Sequence, residues 1–448
     1  MKTIGRIWLI LFAAVSISWS QTYPVIPIGQ YWHFPDARSM SLAGAGSVSL
    51  KSPGAMLYNP AALTQIEHSV TLELSFKGRN LQERRSYPLY DRFDGFLVDA
   101  TYAVNDNWYS QIQGGVALGI PFYSLPRLSV AVGSYPEIDF RYNYNEEVRE
   151  NVFGDELIAY NRIEANGLLR RYSAALAAVL PFLPDLSVGM QVGIINGDAV
   201  NYEKLADFVQ RSQKVIFAQD DRKLDNSPVV LSAGAIYRAS ERFSLGFHLS
   251  LPYKIESSTT NAAGTTFREE AEYPLRINAG MEYRARQELQ ARLNVDIGYE
   301  FWSQTEFYTE MPGVVQTIPF AGDSKRFSDF TDVFYIKTGI EHIFYNRIPF
   351  GVGAQYQVPT GVGAQYHLNP TLSRGTTHTL LSTGTGFFNT SWRVDISAAY
   401  SKLSYRWEDL FDDALYVNNP NFQSRRDRDS VDETTLFFQI SMMYFLDF

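Results

Sequence analysis

Residues 290–302 read QARLNVDIGYEFW. Ala291, Leu293, Val295, Ile297, Tyr299 and Phe301 fall on one face of an extended chain. Arg292, Asn294, Asp296 and Glu300 fall on the other. Side chains alternate faces along a strand, so one side here is apolar and the other charged. A soluble sandwich turns its apolar side to a core, whereas a membrane barrel turns it to lipid and its charges to the lumen. One strand does not separate the two.

The set of strands does. Leu275 to Tyr283 alternates with Arg276, Asn278, Glu282 and Arg284, and Phe243 to Leu251 with Ser244, His248 and Ser250. The alternation predicts strands over 68–77, 109–122, 128–143, 169–182, 186–202, 229–238, 243–255, 275–284, 290–303, 331–344, 348–358, 377–388, 392–407 and 434–448. Many exceed the five or six residues usual in globular strands and match the roughly 9–11 of a tilted membrane strand. Fourteen is even, as expected for a single-chain bacterial barrel, and short connections alternate with long ones, as periplasmic turns alternate with external loops. The segment 95–104 is placed in the first long connection, and 203–214 (EKLADFVQRSQK), at the start of the long connection 203–228, has weak helical periodicity. The fold class is therefore all-β: a 14-stranded antiparallel transmembrane β-barrel, with the barrel domain at 68–448.

The ends agree. Lys2 and Arg6, the apolar run Ile7–Ile17 and Ser18-Trp19-Ser20 read as a signal peptide over 1–20. In the last strand Phe438, Ile440, Met442, Tyr444, Leu446 and Phe448 share a face, which resembles the terminal signal read by the barrel assembly machinery. The location implied is the outer membrane of a Gram-negative-type bacterium, with outer-membrane lipids as neighbours. The 448-residue chain carries a net charge of −9, which argues against nucleic acid as a partner. It has no Cys, which excludes disulfides and thiolate chemistry.

Between the signal and the strands lies a different composition. Residues 21–36 hold three prolines, and 37–65 (ARSMSLAGAGSVSLKSPGAMLYNPAALTQ) are small and Gly/Ala-rich. A fourteen-strand wall is too wide for its own side chains to fill. Residues 21–67 are read as an N-terminal plug inside it.

Ala37-Arg38, Gly44-Ala45-Gly46 and Leu57-Tyr58-Asn59-Pro60-Ala61-Ala62-Leu63 resemble the N-terminal hatch of the FadL/TodX family of outer-membrane channels, whose hatch motif matches Asn59, Pro60 and Ala61. The resemblance implies uptake of long-chain fatty acids or other hydrophobic small molecules, released sideways through a wall gap at a kink in the third strand. Gly133, Tyr135 and Pro136 would line that gap, because Pro lacks a ladder donor and Gly weakens a strand. Inward-facing Arg276, Arg284, Arg292 and Arg393 are candidates to hold a carboxylate head group, or to pair with neighbouring acids. PorV-like barrels, which shuttle secreted proteins in type 9 secretion, share the N-terminal pattern and are the alternative.

No catalytic, cofactor-binding or metal-binding residues are assigned. The six His are scattered, and no nucleophile–base–orienter set is visible, so an enzyme is not expected. The charged run 408–433 is read as a solvated external loop. The sequence GVGAQYQ at 351–357 recurs as GVGAQYH at 361–367 and is read as a loop-lengthening duplication.

Overall fold

The computed structural model describes residues 29–31, 34–122, 125–149, 156–197, 200–209, 212–285, 290–310, 326–327, 332–358, 378–407, 409–411, 416 and 429–447. The signal segment, the second repeat copy, Phe448 and most of 408–433 lie outside these residues.

A short strand, β1 (Gln30–Tyr31), precedes the long strands β2 (Val70–Tyr90), β3 (Phe96–Phe122) and β4 (Leu125–Asp139). Next come β5 (Tyr142–Arg149), β6 (Leu157–Asn166), β7 (Leu168–Leu180), β8 (Leu183–Gly197), β9 (Val200–Phe208) and β10 (Gln213–Leu224). They are followed by β11 (Val229–Ser240), β12 (Phe243–Ser250), β13 (Tyr253–Asn261), β14 (Thr266–Tyr273), β15 (Arg276–Arg284) and β16 (Ala291–Glu300). The chain ends with β17 (Phe307–Thr309), β18 (Arg326–Phe327), β19 (Val333–Phe344), β20 (Ile348–Val358), β21 (His378–Phe388), β22 (Trp392–Trp407) and β23 (Asp429–Leu446).

Fourteen of these close a ring in the order β2-β3-β4-β7-β8-β11-β12-β15-β16-β19-β20-β21-β22-β23, and β23 pairs back with β2. Every rung is antiparallel, so the predicted barrel and its strand number hold. Outward positions such as Leu74, Trp108, Ile112 and Met190 are exposed and apolar. Inward positions such as Glu73, Gln191, Asn294 and Asp296 are polar and buried. Closure leaves no unpaired sheet edge, and an apolar outer face over a polar lumen is the arrangement a bilayer requires of a β-protein. The protein is an outer-membrane barrel.

The long connections differ from expectation. β5, β6, β9, β10, β13, β14, β17 and β18 form a second, eight-stranded sheet above the barrel. Segment 95–104 is neither loop nor extra strand: most of it is the upper part of β3, paired along β2. Segment 203–214 is mostly strand: β9 pairs with β6 on one side and with β10 on the other, which overrides its weak helical period. The strands expected over 128–143, 186–202 and 243–255 stop at Asp139, Gly197 and Ser250 and resume in the upper sheet. Pro252, which has no N–H, marks one such break. The β2–β3 hairpin rises as one unbroken ribbon to a turn at Asp91–Gly95, where Phe93 is exposed.

Residues 34–66 lie against the inner wall. A helix, α1 (Ala37–Ser41), is capped by Asp36, which accepts from Ser39 N at 2.6 Å in a capping box. Two 3₁₀ turns follow, Pro53–Leu57 and Pro60–Gln65, the second capped by Asn59. Val48, Leu50, Met56, Ala61, Leu63 and Ile66 form an apolar cluster with wall residues Ala117, Ala131, Tyr135, Ala175 and Ile236.

Candidate functional site

The N-terminal segment is tied to strands around the ring. Arg38 donates to both oxygens of Glu341 on β19, at 2.7 and 2.8 Å, and to Ser49 O. Asp296 on β16 accepts from Gly46 N and Ser47 N at 3.0 Å and from Ser47 Oγ at 2.8 Å. Gly54 N donates to Glu73 on β2, and Asn59 Nδ2 to Ala235 O on β11. The turn at 44–47 and the caps thus use wall carboxylates and carbonyls to satisfy backbone that would otherwise be buried without partners.

The wall is broken at one place beside this segment. The β3–β4 ladder stops at the Gly114–Ser134 rung. From Tyr135 to Asp139 five successive β4 residues are buried, where a wall strand should alternate. β4 has turned inward, and its freed edge is taken by β1, with Gln30 opposite Asp139 and Tyr31 opposite Ile138. The cause is local. Extending the register by two rungs would set Pro136 against Ile112, and Pro has no N–H to donate. The β4–β7 ladder also bulges between Pro136 and Ile138.

Side chains cover the break. Arg170 on β7 crosses the outside of β4, donating to Ile112 O at 2.7 Å and to Ser134 Oγ and O at 3.0 and 3.2 Å. Arg141, held by Asp139, donates to Ser110 O at 3.1 Å. Two β3 carbonyls that a regular neighbour would satisfy are thus served by guanidinium groups. Above the break, β3 meets β5 through side chains: Asn107 with Asn143 O, Tyr109 OH with Asn143 N, and Asn105 with Asn145 N.

On the lumen side, Tyr135, Pro136 and Glu137 line a cavity of about 100 Å³. Phe34, Gly44, Ser47 and Tyr58 of the N-terminal segment also line it, as does Tyr31. It holds a buried charge network: Arg171 pairs with Glu137 at 2.5 Å, and Arg276 lies 3.6 Å from Glu137 and over the Tyr31 ring. Lys337 is buried there, its Nζ 4.5 Å from the Tyr335 ring centre and 5.6 Å from that of Tyr58. Among the described residues it makes no ion pair. A second cavity, of about 510 Å³, lies at the short-turn end, between Arg38, Lys51 and Glu67 and the turns at Arg347 and Asn389.

Tyr135 and Pro136 stand at the break and the cavity, while Gly133 sits just below, in the last regular rungs. Asn59, Pro60 and Ala61 form the cap and first turn against the wall, not the cavity lining. The four arginines separate. Arg276 is in the 100 Å³ cavity, Arg284 is fastened to Glu282, and Arg292 and Arg393 line the 510 Å³ cavity. Arg393 is held by Asp395, and Arg292 lies 3.8 Å from Glu282. Sequence reasoning missed Arg170 and Lys337. Alternation places Arg170 on the same outward face as Tyr172 and Leu176, and a charge on a lipid face was the available signal. Lys337 shows nothing special in sequence, because its position opposite Asp296 depends on register.

A closed barrel with residues 34–66 against its inner wall and its third strand turned inward defines the class of barrel to which known structures can be compared. No family model matches the chain, and no curated protein matches it in sequence. Solved structures do match. A FadL homologue of Pseudomonas aeruginosa superposes with a TM-score of 0.56 at 13% identity, covering 93% of this chain and 99% of that one. The toluene transporter TodX of P. putida gives 0.55 at 11% identity, covering 92% and 99%. The monoaromatic hydrocarbon channel CymD gives 0.52 at 15%, covering 95% and 100%. The chain therefore has the FadL/TodX-type fold.

Proposed function

We propose that the protein is an outer-membrane channel for hydrophobic small molecules, long-chain fatty acids foremost, and not an enzyme. Residues 21–67 act as the hatch, with Asn59, Pro60 and Ala61 seating it, and 68–448 as the barrel, exported by the signal at 1–20 and assembled through Phe448. Cargo enters from outside, rests in the cavity beside the hatch, and leaves sideways between β3 and β4 into the membrane. The observation that carries this reading is the inward turn of β4 after Ser134, which puts the break in the wall directly against a lumenal cavity. The shared fold with structures described as toluene and hydrocarbon channels supports it. The polar lumen is no obstacle, because cargo need not travel its full length.

The test is uptake of radiolabelled oleate by cells lacking their own fatty-acid channel and expressing this protein at the surface. Restored uptake is the expected result. Correctly inserted protein with no uptake would remove the fatty-acid assignment, and a co-purifying secreted protein would favour the shuttle reading.

A further inference from the structure

The break in the wall is closed by a charge whose partners are all neutral. Arg170 uses Nε and Nη2 on Ile112 O and Ser134. It pairs with no carboxylate among the described residues, and its Nη1 donates to none of them. Arg141 beside it is different, because Asp139 neutralises it through two hydrogen bonds at 2.9 and 3.1 Å. Around Arg170 the outer face is apolar: Ile112, Val132 and Tyr172 are exposed, as is Trp108 four residues before Ile112 on β3. A partly exposed guanidinium whose charge no described carboxylate compensates, set in an apolar outer face, is suited to an anionic oxygen group carried on a hydrocarbon chain.

We propose that Arg170 is a latch exchanged by cargo, and that the exit selects single-chain carboxylates over neutral hydrocarbons. This inference rests on the lateral-channel reading. At rest the guanidinium supplies the Ile112 carbonyl with the donor that Pro136 lacks. An arriving carboxylate offers a charged acceptor in place of two carbonyls and a hydroxyl. Arg170 swings to it, the hydrogen bonds across β4 are given up, and the edges of β3 and β4 part with no buried donor left empty. A neutral chain offers no charged acceptor, at most a hydroxyl, so opening for it would exchange those hydrogen bonds for a weaker one or none. No bond is made or broken covalently, and the latch re-forms when the carboxylate moves into the membrane.

The chain has no cysteine, so one reporter thiol can be placed at Gln111→Cys. Gln111 is a buried, lumen-facing residue of β3 next to the break, and neither of its amide atoms has a hydrogen-bond partner among the described residues. Protein in phosphatidylcholine vesicles, with and without phosphatidylglycerol, is labelled by a membrane-dissolved maleimide. Dodecanoate is expected to speed labelling by about tenfold, the worth of one hydrogen bond to a charged group, while dodecanol leaves it unchanged. In an Arg170→Met background labelling is fast from the start and indifferent to either amphiphile. In flux measurements the same change lowers dodecanoate over dodecanol selectivity by about tenfold on the same grounds. Equal acceleration by both amphiphiles overturns the proposal. So does labelling already fast with phosphatidylglycerol alone, which would mean that a resident lipid headgroup occupies Arg170. Normal oleate uptake with no labelling response leaves the channel reading standing and removes the latch. A carboxylate-specific labelling response with no flux keeps the anion site and removes the channel.

Discussion

Pro136 carries the largest consequence of any single residue. Its missing N–H ends one ladder, leaves the Ile112 carbonyl to Arg170 and releases β4 towards the lumen. Pro136→Val restores a donor and a residue suited to a strand. The ladder should extend past Ser134 and narrow the exit, and oleate uptake should fall by about fivefold, the value of one net hydrogen bond of about 1 kcal/mol. Uptake at the level of the unaltered protein would show that the break does not lie on the route. Proline and its neighbours were legible in the sequence, since Gly133, Tyr135 and Pro136 stand out in a strand. Arg170 was not singled out, although Leu168-Leu169-Arg170-Arg171 puts two charges on opposite faces, and one of them must face lipid. The inward arginines were legible as positions but not as roles, because pairing with Glu137, Glu282 or Asp395 depends on which strands are neighbours.

At the scale of elements, the seating of the N-terminal segment depends on backbone lying directly on the wall. A side chain at Gly189 of β8 would come 2.5 Å from Ala61 N and Pro60 C. At Gly353 of β20 it would come 2.3 Å from Leu42 C. Neither has room for a Cβ, so the wall is glycine at these two points, where the inner backbone lies directly on it. Gly189→Val should push the Pro60–Gln65 turn off β8 at about 1–3 kcal/mol, the usual range for overpacking. The readout is protease cutting within residues 34–66 of folded barrels: it rises sharply if the seating is as described, and is unchanged if the segment is held elsewhere. The capped elements themselves were partly legible. Asn59 before Pro60 is a cap followed by a proline at the first position of a turn. Which wall strand each cap meets was not, since nothing local in sequence encodes a contact between residues 59 and 235.

The whole molecule has two storeys, and they were unequally legible. The barrel announces itself because lipid on one side and lumen on the other impose strict alternation over long strands. The upper-sheet strands alternate too, but their buried faces are interrupted by polar residues such as Glu146, Ser257 and Glu269, so the apolar period is weak and they read as loops. The storeys also differ in their response to pH. Asp220 on β10, in the upper sheet, has its carboxyl pushed up to about 6, first by burial and then by Glu269, against the pull of Arg222. A carboxyl raised in the folded state binds a proton there more readily than in the unfolded chain, where it titrates near 3.9. The upper sheet should therefore lose stability as pH rises from about 4 to about 6, and Asp220→Asn should abolish that dependence while leaving the barrel unaffected. Hydrogen exchange of β9, β10 and β13 amides, corrected for intrinsic rates, measures it. Protection independent of pH in this window would contradict the assignment.

The unbroken β2–β3 ribbon has one last consequence. Twenty-one residues of β2 extend to about 70 Å, more than twice the roughly 30 Å hydrocarbon core of a bilayer. Even tilted, the turn at Asp91–Gly95 stands well clear of the lipid headgroups. It is stiffened by cross-strand pairs nearly to its tip, and it presents Phe93 at the end. An antibody or phage arriving from outside meets this spike as a fixed shape and not as a flexible loop. Antibodies raised against the folded protein should therefore fail to recognise the same residues as a linear peptide.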